Sequence, residues 1–284
     1  MSTAYIFPGQ GSQSKGMGAA LFDRYPEWTQ EADAVLGYPI RDLCLLDPRD
    51  ELGQTAFTQP ALFVVNAMTY RARTEDGGAP PAFVAGHSLG EYNALVAAGV
   101  CDFSAALRLV QQRGQLMGAV AGGGMAAVIG LDPPRIAAVL ADSEGGRRLD
   151  VANFNSFEQT VIAGRKDDLA AIKPAFVAAG ARYIPLKVSA PFHSRYMREP
   201  MLAFTAFIDD VTFAPPHVPV VSNVTALPYE PMAIRDTLAR QISHSVRWLD
   251  SVLYMLDHGV ETFEEVGPGT VLTKLVTQIR SQRG

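Results

Sequence analysis

Short apolar runs alternate with segments whose apolar residues recur every three to four positions, and the two textures mark strands and helices. Ala4-Tyr5-Ile6-Phe7 is a buried-strand run halted by Pro8-Gly9, and it delivers a glycine-rich loop from Gly9 to Gly18. Helical periodicity follows over 19–36 and 60–74, the second with Pro60 in a first-turn position. Ala82-Phe83-Val84-Ala85 predicts a second buried strand, and Glu91 opens a helix that ends near Gly99. A further helix is expected over 104–117, with Ser104 as its N-cap.

From about residue 124 the order of elements changes. A strand at 125–130, a helix at 133–142, strands at 149–153 and 159–163, a helix at 167–179 and a strand at 182–188 follow in turn. That β-α-β-β-α-β order is the one found in ferredoxin-like units. The chain returns through Ser189-Ala190-Pro191-Phe192-His193 to helices near 195–209 and 231–243, with a strand at 218–222 between them. A helix at 247–257, a strand at 262–266 and a last helix beyond Gly267-Pro268-Gly269 complete the pattern. The prediction is an α/β fold: a large subdomain from 1–122 and 190–284, interrupted by a small ferredoxin-like subdomain at 123–189.

Composition narrows the class of protein. With 48% hydrophobic and 19% charged residues in 284, the chain can bury a sizeable core. A net charge of −5 argues against nucleic acid as the main partner, because counterion release needs a clustered excess of Lys and Arg. Two cysteines, Cys44 and Cys101, make no disulfide framework and no metal-ligand grouping, so no metal is expected. Residues 114–131 carry no charge over a span-like length, but six glycines and Gln115 break the run into a helix end, a hinge and a strand. The N-terminus lacks a basic targeting region. A soluble, cytoplasmic protein that does not engage a membrane is the expectation.

Gly86-His87-Ser88-Leu89-Gly90 lies between a predicted strand and a predicted helix. A serine hydroxyl is a poor nucleophile unless a strained turn holds it out toward a base, and flanking glycines give that turn room. Free N–H groups at the new helix start can stabilise an oxyanion. Ser88 is therefore a candidate nucleophile, or else a helix-capping serine in a tight turn. Among five histidines, His193 follows a predicted strand end, where active-site groups collect, so it is the candidate base or a helix-entry residue. Arg113 falls near the middle of the apolar stripe formed by Ala106, Leu109, Val110 and Met117. A guanidinium there needs an anion, supplied either by an internal acid or by a substrate carboxylate. Gln10 could donate to an oxyanion or be an ordinary loop residue. Glu91, three residues after Ser88, is expected to point along the helix toward solvent. No acid stands in a suitable place to orient His193, so a dyad is expected.

Taken together, several motifs resemble one family. Phe7-Pro8-Gly9-Gln10-Gly11-Ser12-Gln13, Thr58-Gln59-Pro60-Ala61, Gly86-His87-Ser88-Leu89-Gly90-Glu91, Gln112-Arg113-Gly114, Phe192-His193-Ser194 and Glu265-Val266-Gly267-Pro268-Gly269 stand in the order found in malonyl-CoA:acyl carrier protein transacylases. The match runs from about residue 4 to 280. The resemblance implies an α/β-hydrolase-like core with a ferredoxin-like insertion. It implies malonyl transfer through Ser88 to the phosphopantetheine thiol of a carrier protein, with no cofactor beyond the substrate malonyl-CoA.

By the same resemblance, His193 is the base, Arg113 receives the malonyl carboxylate, and Gln10 with the Leu89 amide forms the oxyanion hole. Gln59 lines the pocket, and Phe192 resembles the phenylalanine that accompanies malonyl rather than methylmalonyl selection in polyketide acyltransferases. The family orients its base with a backbone carbonyl, whose matching position is Arg247 in Ser245-Val246-Arg247-Trp248. Phe157-Glu158 departs from the Pro-Gly that many relatives carry. The chain is expected to act in trans as a monomer, serving polyketide synthesis, with fatty-acid synthesis as the alternative host. An acyl hydrolase and a non-catalytic carrier-binding module are the competing functions. Arg182, Lys187, Arg195, Lys274 and Arg280 are candidates for CoA phosphates, or solvated surface charges.

Overall fold

A computed structural model describes residues 2–283. Four short strands, β1 (Thr3–Phe7), β2 (Phe83–Gly86), β7 (Val220–Val221) and β8 (Thr262–Glu265), form a parallel sheet in the order β7-β2-β1-β8. Alternation along β1 sends Tyr5 and Phe7 into one apolar core and Ala4 and Ile6 into another, as the two-residue period of a strand requires. The first core is built with α4 (Thr55–Glu75), α5 (Gly90–Ala97) and α6 (Phe103–Gly118). The second is built with α11 (Trp248–Asp257) and α12 (Val271–Gln282). A parallel sheet covered on both faces reads as continuous apolar runs, which is why β1 and β2 were visible as such.

The remaining strands form an antiparallel sheet in the order β4-β5-β3-β6. They are β3 (Gly123–Ile129), β4 (Asp150–Ser156), β5 (Gln159–Arg165) and β6 (Arg182–Pro185). Helices α7 (Pro133–Asp142) and α8 (Lys166–Ala178) pack on this sheet around a third core that includes Ile136, Ile162, Ile172 and Phe176. Edge strand β4 is tied back to the rest of the molecule at Val246, whose N–H donates to the Ala152 carbonyl at 2.8 Å and whose carbonyl accepts from Phe154 N–H at 2.9 Å. No described helix is long and apolar enough to cross a membrane.

Several local expectations need correction. The helical stretch 19–36 is two helices, α1 (Ala19–Arg24) and α2 (Pro26–Leu36), because Pro26 fits a first turn but not a helix interior. The periodicity also missed α3 (Ile40–Leu45). Helix α4 starts at Thr55, so Pro60 lies inside it, forfeiting a single bond near the helix start. Asp102, not Ser104, caps α6, accepting from Ala105 N–H at 2.7 Å, while Ser104 Oγ turns to Glu31. The segments near 195 and 231 each open with a turn of 3₁₀-helix before α9 (Arg198–Ile208) and α10 (Ile234–Arg240).

Candidate active site

Loops at the carboxyl ends of the parallel strands converge, the position where open α/β sheets bind ligands. Gly86 ends β2 and Gly90 begins α5, and the chain reverses between them so tightly that neither could carry a side chain. A Cβ on Gly86 would lie 1.9 Å from the Gly90 carbonyl carbon, and one on Gly90 would lie 2.0 Å from the Phe7 carbonyl oxygen. Ser88, at the apex, is held at φ +52°, a left-handed conformation costly for a residue with a Cβ. Asn223, just beyond β7, clamps the turn: its Oδ1 accepts from Ser88 N–H at 2.7 Å and its Nδ2 donates to the Gly86 carbonyl at 2.6 Å.

His193 is also held at positive φ, +56°, and its Nε2 lies 2.7 Å from Ser88 Oγ. Its Nδ1 lies 2.8 Å from the backbone carbonyl of Gln241, just past α10. A carbonyl can only accept, so Nδ1 carries the proton and Nε2 is left as the acceptor toward serine. Burial, reinforced by the nearby Arg113 charge and only partly offset by the Gln241 carbonyl, pushes the His193 pKa down to about 3. The imidazole is thus neutral.

This geometry corrects the position expected to orient the base. Arg247 does not reach His193. It stands at the N-terminus of α11, where its carbonyl accepts from Ser251 N–H at 3.0 Å and its guanidinium pairs with Asp250. Gln241 supplies the carbonyl instead. A backbone acceptor leaves no mark in the residue type, and the helix expected over 231–243 runs past Gln241, whereas α10 ends at Arg240.

Arg113 is fully buried in α6. Gly114 and Gly118 let this helix approach the start of α4 closely, a Cβ on Gly114 falling 3.2 Å from the Thr55 carbonyl. The guanidinium donates from Nη1 to Gln59 Oε1 at 2.7 Å and from Nη2 to Gln241 Oε1 at 2.8 Å and Ser88 Oγ at 3.0 Å. It also lies 5.5 Å from the Tyr92 ring centre, and its Nε has no partner. Among the described residues no carboxylate forms an ion pair with it. Burial lowers its pKa, but an arginine starts high enough to keep its charge.

A cavity of about 110 Å³ joins these groups, lined by Gln10, Gln59, Ser88, Leu89, Arg113, Met117, Met125, Phe192 and His193 among others. Gln10 Nε2 rests on Thr55 Oγ1 at 3.3 Å, a long contact that is easily exchanged. Leu89 is the N-cap of α5, where the amides at the helix start have no helical acceptor. Phe192 is buried against the cavity. A wider cavity of about 390 Å³ shares Gln10, His87 and Val188 with it and reaches Lys187. Arg195 lines a separate groove that touches His193, whereas Arg182, Lys274 and Arg280 line none of these spaces. The described residues include no group of three His, Cys, Asp or Glu placed to hold a metal ion.

Glu91 overturns its expected outward orientation: it is fully buried. Its carboxylate accepts from Tyr229 Oη–H at 2.6 Å, from Asn223 N–H at 3.0 Å and from Gln241 Nε2. Burial raises its pKa to about 7, against the three donors and Arg113, which pull it down. Its spacing from Ser88 predicted a side chain pointing to solvent, but nearly all of α5 is buried against the sheet and α4.

A serine on a strand-to-helix turn beside a neutral histidine is the equipment of a covalent acyl-transfer enzyme. The sequence model for an acyl transferase domain matches residues 4–283, and the chain belongs to that family. It is 49% identical to the polyketide biosynthesis malonyl CoA-acyl carrier protein transacylase BaeC of Bacillus velezensis, covering 98% of this chain and 96% of that one. It is 50% identical to the polyketide biosynthesis protein ThaF of Burkholderia thailandensis, but spans only 24% of that longer protein. Its fold superimposes on the malonyl CoA-acyl carrier protein transacylase of Burkholderia pseudomallei with a TM-score of 0.96, at 48% identity over 99% of both chains.

Proposed function

We propose that this acyltransferase moves a malonyl group from malonyl-CoA to the phosphopantetheine thiol of an acyl carrier protein, through a malonyl ester on Ser88. The observation that carries this reading is Arg113: a fully buried cation, 3.0 Å from Ser88 Oγ, with only neutral partners. An unmatched buried charge is costly, and a substrate carboxylate is the partner that removes the cost.

His193 Nε2 takes the proton as Ser88 Oγ attacks the thioester carbonyl. Gln10 Nε2 and the Leu89 amide receive the developing oxyanion. Collapse forms the ester and expels the CoA thiolate, which takes the proton from His193. The carrier thiol then repeats the sequence in reverse. Gln59 and Gln241 aim the guanidinium, which holds the malonyl carboxylate and leaves water poorly placed. Phe192 fills the space a 2-methyl branch would need, and Lys187 stands on the side where the CoA or carrier phosphates enter.

The strand order β4-β5-β3-β6, with helices on one face, supports a ferredoxin-like subdomain at 123–189, set in an α/β-hydrolase-like subdomain formed by 1–122 and 190–284. The similarity to BaeC favours a polyketide pathway, and the reading takes the protein to act in trans, as a monomer in the cytoplasm.

Intact-protein mass spectrometry after brief exposure to malonyl-CoA tests the reading. A malonyl adduct in the wild type that is absent from Ser88→Ala is the expected result. No adduct with intact malonyl-CoA would favour a binding module, and rapid release of free malonate a hydrolase.

A further inference from the structure

The carboxylate of Glu91, three residues beyond Ser88 and fully buried, touches none of the side chains assigned a step above except Gln241. We propose that Glu91 is a positioning residue for Arg113: its carboxylate sets which end of the Gln241 carboxamide faces the guanidinium that selects carboxylated acyl groups. The inference rests on the malonyl-transfer reading.

The two ends of a carboxamide are alike in shape and opposite in hydrogen-bonding sense. At Gln241 the Oε1 end accepts from Arg113 Nη2 at 2.8 Å. The Nε2 end faces three oxygens: Glu91 Oε2, the Ser88 carbonyl at 2.8 Å and Asn223 Oδ1 at 3.4 Å. Turned over, the amide would set its NH₂ against a guanidinium and its oxygen against those acceptors. Of the three, Glu91 alone is ionisable, and above its pKa of about 7 it is a charged acceptor, which makes the stronger bond.

Glu91 is itself fixed. Its Oε1 accepts from Asn223 N–H at 3.0 Å and Tyr229 Oη–H at 2.6 Å, so three donors from three segments converge on two oxygens. A carboxamide at this position would bring two further donors and must oppose one of those present. The spacing matters as much as the sense. With Gln241 between them, Glu91 offsets the Arg113 charge without covering the edge that faces Ser88. Direct contact would satisfy the cation and close it to substrate.

The test is Glu91→Gln, nearly the same shape without the charge. Acylation of Ser88 is timed separately with malonyl-CoA and acetyl-CoA by rapid-quench intact-protein mass spectrometry. Loss of a charge-assisted contact predicts that the malonyl rate falls by about 10- to 100-fold while the acetyl rate falls less than about threefold. Tyr229→Phe removes the hydrogen bond that most strongly lowers the Glu91 pKa, so it favours the neutral acid and lowers the malonyl-to-acetyl ratio in the same direction as Glu91→Gln. If Glu91→Gln does not fold, the double variant with Tyr229→Phe, which removes one opposing donor, is read by the same ratio. An unchanged ratio, whether both rates hold or both fall together, overturns the inference. A wild type that acquires no malonyl group on Ser88 overturns instead the reading beneath it.

Discussion

Two arginines line spaces that share His193, and they are treated in opposite ways. Arg195 is exposed and held by Asp150, its Nε donating at 2.8 Å and its backbone N–H at 2.7 Å. Arg113 is fully buried, where a counter-charge matters far more, yet its partners are two glutamine oxygens and a serine hydroxyl. An exposed pair adds little because water already solvates both charges. A buried cation left without a contacting acid is unfavourable for the free protein and useful only when an anion arrives. The difference separates a structural surface contact from a binding site, and charge counting alone would rank them the other way.

The largest blow to the inner region is expected from His193→Ala. With no acceptor for the Ser88 proton, acylation by malonyl-CoA should slow by about 10³- to 10⁴-fold, measured by adduct formation under quench. The pH dependence comes next. The ring is faced by Arg113 from α6, by His87 from the elbow, and by Glu91 behind Gln241. Because its folded pKa is depressed to about 3, the neutral base persists well below the ordinary histidine range. The acid limb of kcat/KM should therefore lie below about pH 6.5. Acetyl-CoA is the substrate to use, since it needs neither Arg113 nor the Glu91 contact. By the same sign, His193 contributes stability above about pH 6.5 that is lost as pH falls toward its folded value, because the unfolded chain binds a proton the folded site refuses.

Phe192→Ser should raise acylation by methylmalonyl-CoA relative to malonyl-CoA by about tenfold, the scale of one methyl group in a fitted pocket. Arg195→Ala is the control from the outer region. It should change stability by less than about 1 kcal/mol in a denaturant titration and leave the malonyl-to-acetyl ratio unaltered. A large change of selectivity there would erase the contrast between the two arginines.

The parts legible in the sequence were those whose chemistry depends on residue type. Gly86 and Gly90 announce a tight strand-to-helix turn around Ser88 because a Cβ at either would collide with backbone, and Arg113 betrays itself as a charge within an apolar stripe. What could not be read depends on position alone. Any residue could lend the carbonyl that Gln241 offers His193, so the resemblance pointed six positions too far, to Arg247. Asn223 lies beyond a strand end where sites assemble, yet nothing in its residue type marks it as the clamp of the Ser88 turn. Glu91 was misjudged because a helix was treated as having an outer face, whereas α5 is enclosed by the sheet, α4 and the segment carrying Tyr229. Helix boundaries differ from the sequence pattern for the same reason: Pro26 and Pro60 carry the same ring, but only tertiary packing decides that one starts a helix and the other sits within it.

Selectivity for a carboxylated acyl group depends above all on the unpaired buried cation. Arg113→Ala, compared with wild type for Ser88 acylation by malonyl-CoA and acetyl-CoA, measures it. Loss of a buried charge-assisted contact worth about 2–5 kcal/mol predicts a malonyl rate reduced at least about 30-fold, with the acetyl rate kept or raised. A variant that still prefers malonyl-CoA as strongly as the wild type would contradict the account.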